Sequence, residues 1–133
     1  AEFKGIVGTA IVKVMDLEVA RTGVGLAEAR NLGWQVKEID VQDVTKAGFC
    51  PATAEIAIKL LVNEADSKII GAQIVGGSGA GKRIDVLAAA VQMGLTPKQL
   101  AELDLSYAPP FSPVWDPVLV AANVAAARLE RDK

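Results

Sequence analysis

The order of elements along the chain predicts an α+β fold built on an antiparallel sheet. Ala54 to Val62 is the clearest strand. Ile56, Ile58, Leu60 and Val62 fall at period two, with Glu55 and Lys59 on the opposite side. After the polar turn Asn63 to Ser67 the pattern returns as Lys68 to Val75, and two strands joined so tightly must be antiparallel. Beyond this hairpin the apolar spacing changes to three and four, so strands come first and helices later.

The remaining elements follow from the same rules. Thr9 to Val19 is rich in β-branched residues and reads as one extended strand bent near Asp16, closed by Gly23 and Gly25. Leu26 to Leu32 is a short helical pattern stopped by Gly33. Trp34 to Val41 is a further strand, with Ile39 and Val41 set against Glu38 and Asp40. Thr45 to Thr53, broken by Gly48 and Pro51, is a loop. Ile84, Leu87, Ala88 and Val91 mark one face of a helix that ends near Gly94. Thr96-Pro97-Lys98-Gln99 is a helix start, with Thr96 as cap, Pro97 in the first turn and Gln99 completing a capping box. Asp116-Pro117 is a second start. It opens a helix apolar on nearly every side until Arg128, with Asn123 the main exception. Such a helix is normally buried, and in so small a domain a covering partner makes that easier.

The bulk properties exclude several function classes. A chain of 133 residues suits one domain, spanning 1–133, and can bury a core without disulfides or metals. The net charge of -2, with both signs dispersed, gives no footprint for nucleic acid or an anionic membrane. Hydrophobic residues make up 51% and aromatic ones only 5%. This apolar load fits a compact alanine-rich core or a surface that another chain or domain covers. Histidine is absent and Cys50 is the single cysteine. Disulfide frameworks, cysteine metal clusters, His-ligated zinc and Ser-His or Cys-His nucleophiles are thereby removed. The apolar runs Val118–Ala122 and Val124–Ala127 fall far short of a membrane span, and no signal peptide is visible, so the expected setting is cytoplasmic.

Two glycine-rich stretches invite a nucleotide reading. Gly76, Gly81 and Lys82 match the spacing of a phosphate loop, but Arg83 stands where a Ser or Thr would hold magnesium. The ordinary reading is a turn into a helix, with Lys82 and Arg83 solvated or paired with Asp85. The alternative function this leaves is a stand-alone anion- or nucleotide-binding protein using Gly76 to Arg83. Gly23-Val24-Gly25 is a fragment of a dinucleotide fingerprint whose third position holds Glu28, of the wrong charge for a pyrophosphate. Cys50, with Lys46 its nearest cation in sequence, reads as an inert thiol.

Tyr107 to Pro117 differs in kind. Four prolines fall among the nine residues from Pro109 to Pro117, which forbids a helix or a central strand. The segment carries Tyr107, Phe111 and Trp115, half of the chain's aromatic residues. A stiff loop with aromatic knobs costs little entropy to present to another surface. It can equally pack those rings on its own core, and the residues alone leave both readings open.

The segment YAPPFSPVWDPVLVAANVA (107–125), with GTAIVKVMDLEVARTG (8–23) and KIIGAQIVGG-x4-KRIDVLAAAVQMGLT (68–96), resembles the C-terminal dimerisation domain of pyridine-nucleotide-disulfide oxidoreductases. The closest branch is that of coenzyme A disulfide reductases and the related NADH oxidases and peroxidases. The resemblance runs from about Phe3 to about Ala127. It implies an antiparallel sheet with helices packed on one side and a homodimer about a two-fold axis. It also implies FAD and NAD(P) domains N-terminal to this one, holding FAD, NAD(P)H and the redox cysteine. No cofactor is then expected in this segment, and no turnover by it alone.

By the same resemblance, Tyr107 matches a tyrosine that assists chemistry or binds substrate across the dimer. A phenol can hydrogen-bond a thiolate, which gives that role a chemical basis. Ala108, Pro109, Pro110, Phe111, Ser112 and Trp115 form the loop facing the partner's flavin. Phe49, Cys50, Lys82 and Arg83 are candidates on the substrate side. The branch that uses a His-Glu pair near this point is excluded by the lack of histidine. Coenzyme A disulfide reductases carry a second tyrosine where this chain has Phe49, which lacks the hydroxyl; this weakens the case for coenzyme A disulfide as oxidant and leaves oxygen, peroxide and polysulfide open.

Overall fold

A computed structural model describes residues 2–3 and 5–132. Five strands form one antiparallel sheet: β1 (Ala10–Val14), β2 (Leu17–Gly23), β3 (Val36–Val44), β4 (Glu55–Asn63) and β5 (Ile69–Gly76). Their spatial order is β1-β2-β5-β4-β3. The four α-helices are α1 (Leu26–Asn31), α2 (Ile84–Met93), α3 (Pro97–Ala101) and α4 (Pro117–Arg131). A 3-10 turn, Gly81–Arg83, leads into α2.

The first strand is where the structure departs most from the sequence reading. Residues 9–19 are not one bent strand. Val14 pairs with Leu17, so Met15 and Asp16 make a two-residue hairpin turn, with Met15 in the left-handed region at φ 54. A turn of this size favours residues that accept positive φ, and methionine gives no such signal. The strand at Trp34 to Val41 is also shifted, to Val36–Val44.

Register explains which side chains become core. Ile58 pairs with Ile74 and with Val41, and Ile74 pairs with Ala20, so these residues share one face. A bulge between Leu61 and Val62 moves the partner from Gly71 to Ile69 and skips Ile70. That extra residue puts Ile69 and Ile74, five positions apart, in the same core. α2 packs on β2 and β5, α4 on β3 and β4, and α3 on α4. Ile84, Leu87, Ala90, Leu100, Val118, Ala121, Ala122 and Ala125 complete the core. Their many alanines let α4 lie close to the sheet.

The opposite face of the sheet carries Val12, Val14, Leu17 and Val75 by register, and all four are exposed. Part of the chain's apolar load therefore lies outside the core. Helix ends follow the expected chemistry. Thr96 and Gln99 form the capping box of α3, and Asp116 Oδ1 accepts from Val118 N at 2.9 Å to cap α4. Gly94, at φ 64, ends α2.

Candidate functional site

Two loops carry the candidate residues, and the fold joins them. The β3–β4 loop holds Phe49 and Cys50. It is closed by Thr45 N donating to Ala54 O at 2.8 Å and by Thr53 Oγ1, whose single proton is shared between Cys50 O at 2.7 Å and Ala47 O at 2.9 Å. The loop before α4 holds Tyr107 to Trp115. Phe111 N and Ser112 N both donate to Ala108 O, at 2.9 and 3.1 Å, which folds the proline-rich segment into a compact turn. Ala47 N donates to Pro109 O at 3.2 Å and links the two loops directly.

The aromatic knobs point away from the core. Phe49 is 82% exposed, Phe111 77%, Trp115 62% and Tyr107 51%. Ala108 and Pro109 are half-buried, Pro110 is exposed, and Ser112 is buried. Ser112 Oγ lies 2.8 Å from Pro113 O and 3.2 Å from Asp116 Oδ2. Of the two readings left open by the residues, the loop does not pack its rings on its own core. Cys50 is half-buried and free.

Lys82 and Arg83, adjacent in sequence, do different things. Lys82 is exposed and pairs with Asp85 across one helical turn. Arg83 is nearly buried and does not pair with Asp85. Its Nε donates to Asp116 Oδ2 at 2.9 Å, with the two side chains only 10% and 13% exposed. Its guanidinium also reaches Gly79 O at 2.5 Å, Thr45 O at 2.8 Å and Phe111 O at 3.1 Å. A guanidinium with five N–H groups can serve all four acceptors. Arg83 thus touches the glycine loop, the Phe49 loop, the tyrosine loop and the cap of α4.

The glycine loop does not fit a phosphate. Gly81 N donates to Glu18 Oε2 at 2.6 Å and Gly79 N to Glu18 Oε1 at 3.3 Å, so this chain's own carboxylate sits where an anion would bind. A Cβ at Gly76 would lie 2.7 Å from Ala80 Cβ and from Glu55 O, so that glycine serves close packing. At Gly23-Val24-Gly25 the amides are also spent. Gly23 N donates to Val7 O and Val24 N to Ile70 O, while Gly25 N is 3.4 Å from Glu28 Oε2. Neither stretch can cradle the pyrophosphate of FAD or NAD. Among the described residues no cluster of three His, Cys, Asp or Glu side chains could hold a metal ion, and no helix is long and apolar enough to cross a membrane.

Sequence reasoning missed Glu18, Thr45 and the second role of Asp116. Glu18 and Gly81 are 63 residues apart, and only the pairing of β2 with β5 brings them together. Asp116 reads as a helix cap, and nothing in its neighbours announces a partner in Arg83.

Comparison with known proteins places this architecture. Residues 9–117 match the family described as "Pyridine nucleotide-disulphide oxidoreductase, dimerisation domain". The chain is 42% identical over 123 residues to the NAD(P)H sulfur oxidoreductase (CoA-dependent) of Pyrococcus furiosus, covering 92% of this chain and 28% of that protein. It is similar in structure to a NAD-dependent persulfide reductase from A. fulgidus, with a TM-score of 0.91 and 43% identity, over 98% of this chain and 24% of that one. The reduced CoADR-RHD of Bacillus anthracis superposes with a TM-score of 0.93 and 39% identity, over 97% and 23%. This chain spans about a quarter of the length of these relatives.

Proposed function

Since this chain belongs to the dimerisation-domain family of the pyridine nucleotide-disulphide oxidoreductases, we propose that it pairs two copies of a longer FAD- and NAD(P)H-dependent flavoprotein and lends Tyr107 to the partner's active site. The observation that carries this reading is the joined pair of loops, hydrogen-bonded in backbone and exposed in side chain, that presents Phe49, Tyr107, Phe111 and Trp115 on the surface. A loop stiffened by prolines loses little entropy on docking, and a tyrosine offers a hydroxyl that can donate to a thiolate.

FAD and NAD(P)H supply electron transfer in such an enzyme, and this chain's glycine loops do not hold them. The other domains of the flavoprotein bind both, and this chain binds those domains and its own copy. Its residues orient and exclude: Trp115 and Phe111 shield the site, and Tyr107 places a proton near the leaving sulfur. Similarity to an NAD(P)H sulfur oxidoreductase, to polysulfide and persulfide reductases and to coenzyme A disulfide reductases favours a sulfur oxidant, a persulfide, polysulfide or coenzyme A disulfide. Phe49 cannot hydrogen-bond, so Tyr107 is the sole phenol on these two loops.

Subunit complementation in the full-length flavoprotein tests this. Tyr107→Phe homodimers and homodimers lacking the redox cysteine are each expected to be impaired. A hybrid of the two has one site with both the cysteine and the opposite subunit's Tyr107, and should recover about half the wild-type activity. A hybrid no better than the Tyr107→Phe homodimer would show that Tyr107 does not act across the interface.

A further inference from the structure

Arg83 stands apart from every other charged residue described in the chain. It is nearly buried, it sits beside the candidate site, and its four acceptors lie on the glycine loop, the β3–β4 loop, the tyrosine loop and the cap of α4. Three are backbone carbonyls, so their positions report where whole segments run. Thr45 O is at the root of the Phe49–Cys50 loop, Phe111 O is within the tyrosine loop, and Gly79 O is in the turn leading to α2. Asp116 starts α4 and also lies within reach of Ser112 Oγ. Apart from Arg83, the two functional loops are joined by the single Ala47 N–Pro109 O hydrogen bond, at 3.2 Å.

We propose that Arg83 is the positioning residue of the candidate site: its guanidinium locks the Phe49–Cys50 loop and the Tyr107 loop into one rigid unit, anchored on the start of α4. The assignment of Tyr107's role rests on the function proposed above; the locking itself does not. A lysine cannot replace it. An ammonium is a point charge with three donors on a flexible stem, too few for four acceptors. Four of the five guanidinium N–H groups are taken up by this chain's own acceptors, so its influence on the reaction passes through the placement of Tyr107. A misplacement of about 1 Å at a reacting group is enough to cost on the order of 10²-fold in rate.

Two experiments separate the locking from the function. In this chain, amide hydrogen exchange of Arg83→Lys should rise together at Ala47, Cys50, Phe111 and Ser112, on the order of tenfold. Asn63 and Ile69, bonded to Lys68 O and Leu95 O at the far hairpin, should keep their protection. In Arg83→Ala, millimolar guanidinium should restore the protection of both loops. A uniform rise across the sheet, a rise in only one loop, or no rescue by guanidinium would overturn the proposal. In the full-length flavoprotein, Arg83→Lys should lower kcat about tenfold or more with little change in the KM for NAD(P)H, and the double variant with Tyr107→Phe should be no worse than the poorer single variant. Additive losses would show that Arg83 acts otherwise than through Tyr107. If Tyr107→Phe alone leaves kcat intact, the proposed function fails while the exchange result still decides the locking.

Discussion

Replacing Asp116 by alanine should be among the most damaging single changes outside the core. The carboxylate does three jobs at once. Oδ1 caps α4 through Val118 N at 2.9 Å, Oδ2 pairs with Arg83 Nε at 2.9 Å, and Oδ2 lies 3.2 Å from Ser112 Oγ. Losing the cap costs about 1 kcal/mol. Breaking a fully buried ion pair costs about 3–5 kcal/mol, because the remaining charge is stranded. Here Arg83 keeps three carbonyl acceptors and some contact with water, so about 2 kcal/mol is the appropriate share. The expected total for Asp116→Ala is about 3 kcal/mol, and about 2 kcal/mol for Asp116→Asn, which retains a capping oxygen. Urea denaturation followed by circular dichroism, at fixed protein concentration, measures both, since dimerisation makes apparent stability concentration-dependent. A cost of about 1 kcal/mol or less for alanine, or none for asparagine, would refute the buried pair and leave only a surface cap.

Other outcomes follow from the same structure. Glu18→Gln should destabilise by about 1 kcal/mol, since the two glycine amides lose a charged acceptor but keep a neutral one, and Glu18→Ala by about 2 kcal/mol; both are read by urea denaturation. Ile58→Ala, at the centre of the sheet and 1% exposed, should cost about 2–5 kcal/mol by the same assay through the cavity it leaves. Lys59 is hydrogen-bonded to Glu38 at 2.8 Å, and this bond, aided by Asp40, holds its pKa above the ordinary 10.5. A raised lysine pKa contributes stability that is full below 10.5 and lost as pH rises through the folded value. The small stability gap between wild type and Glu38→Gln, measured against pH, should therefore stay constant near neutrality and close in strong alkali.

How far the sequence speaks depends on whether the signal is local. The β4–β5 hairpin, the Thr96 capping box and the Asp116 cap are set by residues within a few positions of one another, and the structure has them as read. The Met15-Asp16 turn was not legible, because its positive φ falls on a residue with no preference for it. The bulge at Leu61/Val62 hides behind an unbroken apolar run, Ile69-Ile70, in which either residue can be the one turned inward. The tyrosine loop is visible in its prolines, but its bond to the Phe49 loop is not, since Ala47 and Pro109 meet only through backbone atoms. Arg83 was legible as a cation next to a glycine loop. Its partner, 33 residues away, appears only when α4 docks on the sheet.

As a member of a dimerisation-domain family, the chain should self-associate. Sedimentation equilibrium at micromolar concentration tests it most directly. A species of twice the 13.9 kDa chain mass is predicted, dissociating on dilution. A strictly monomeric chain at every concentration would contradict it.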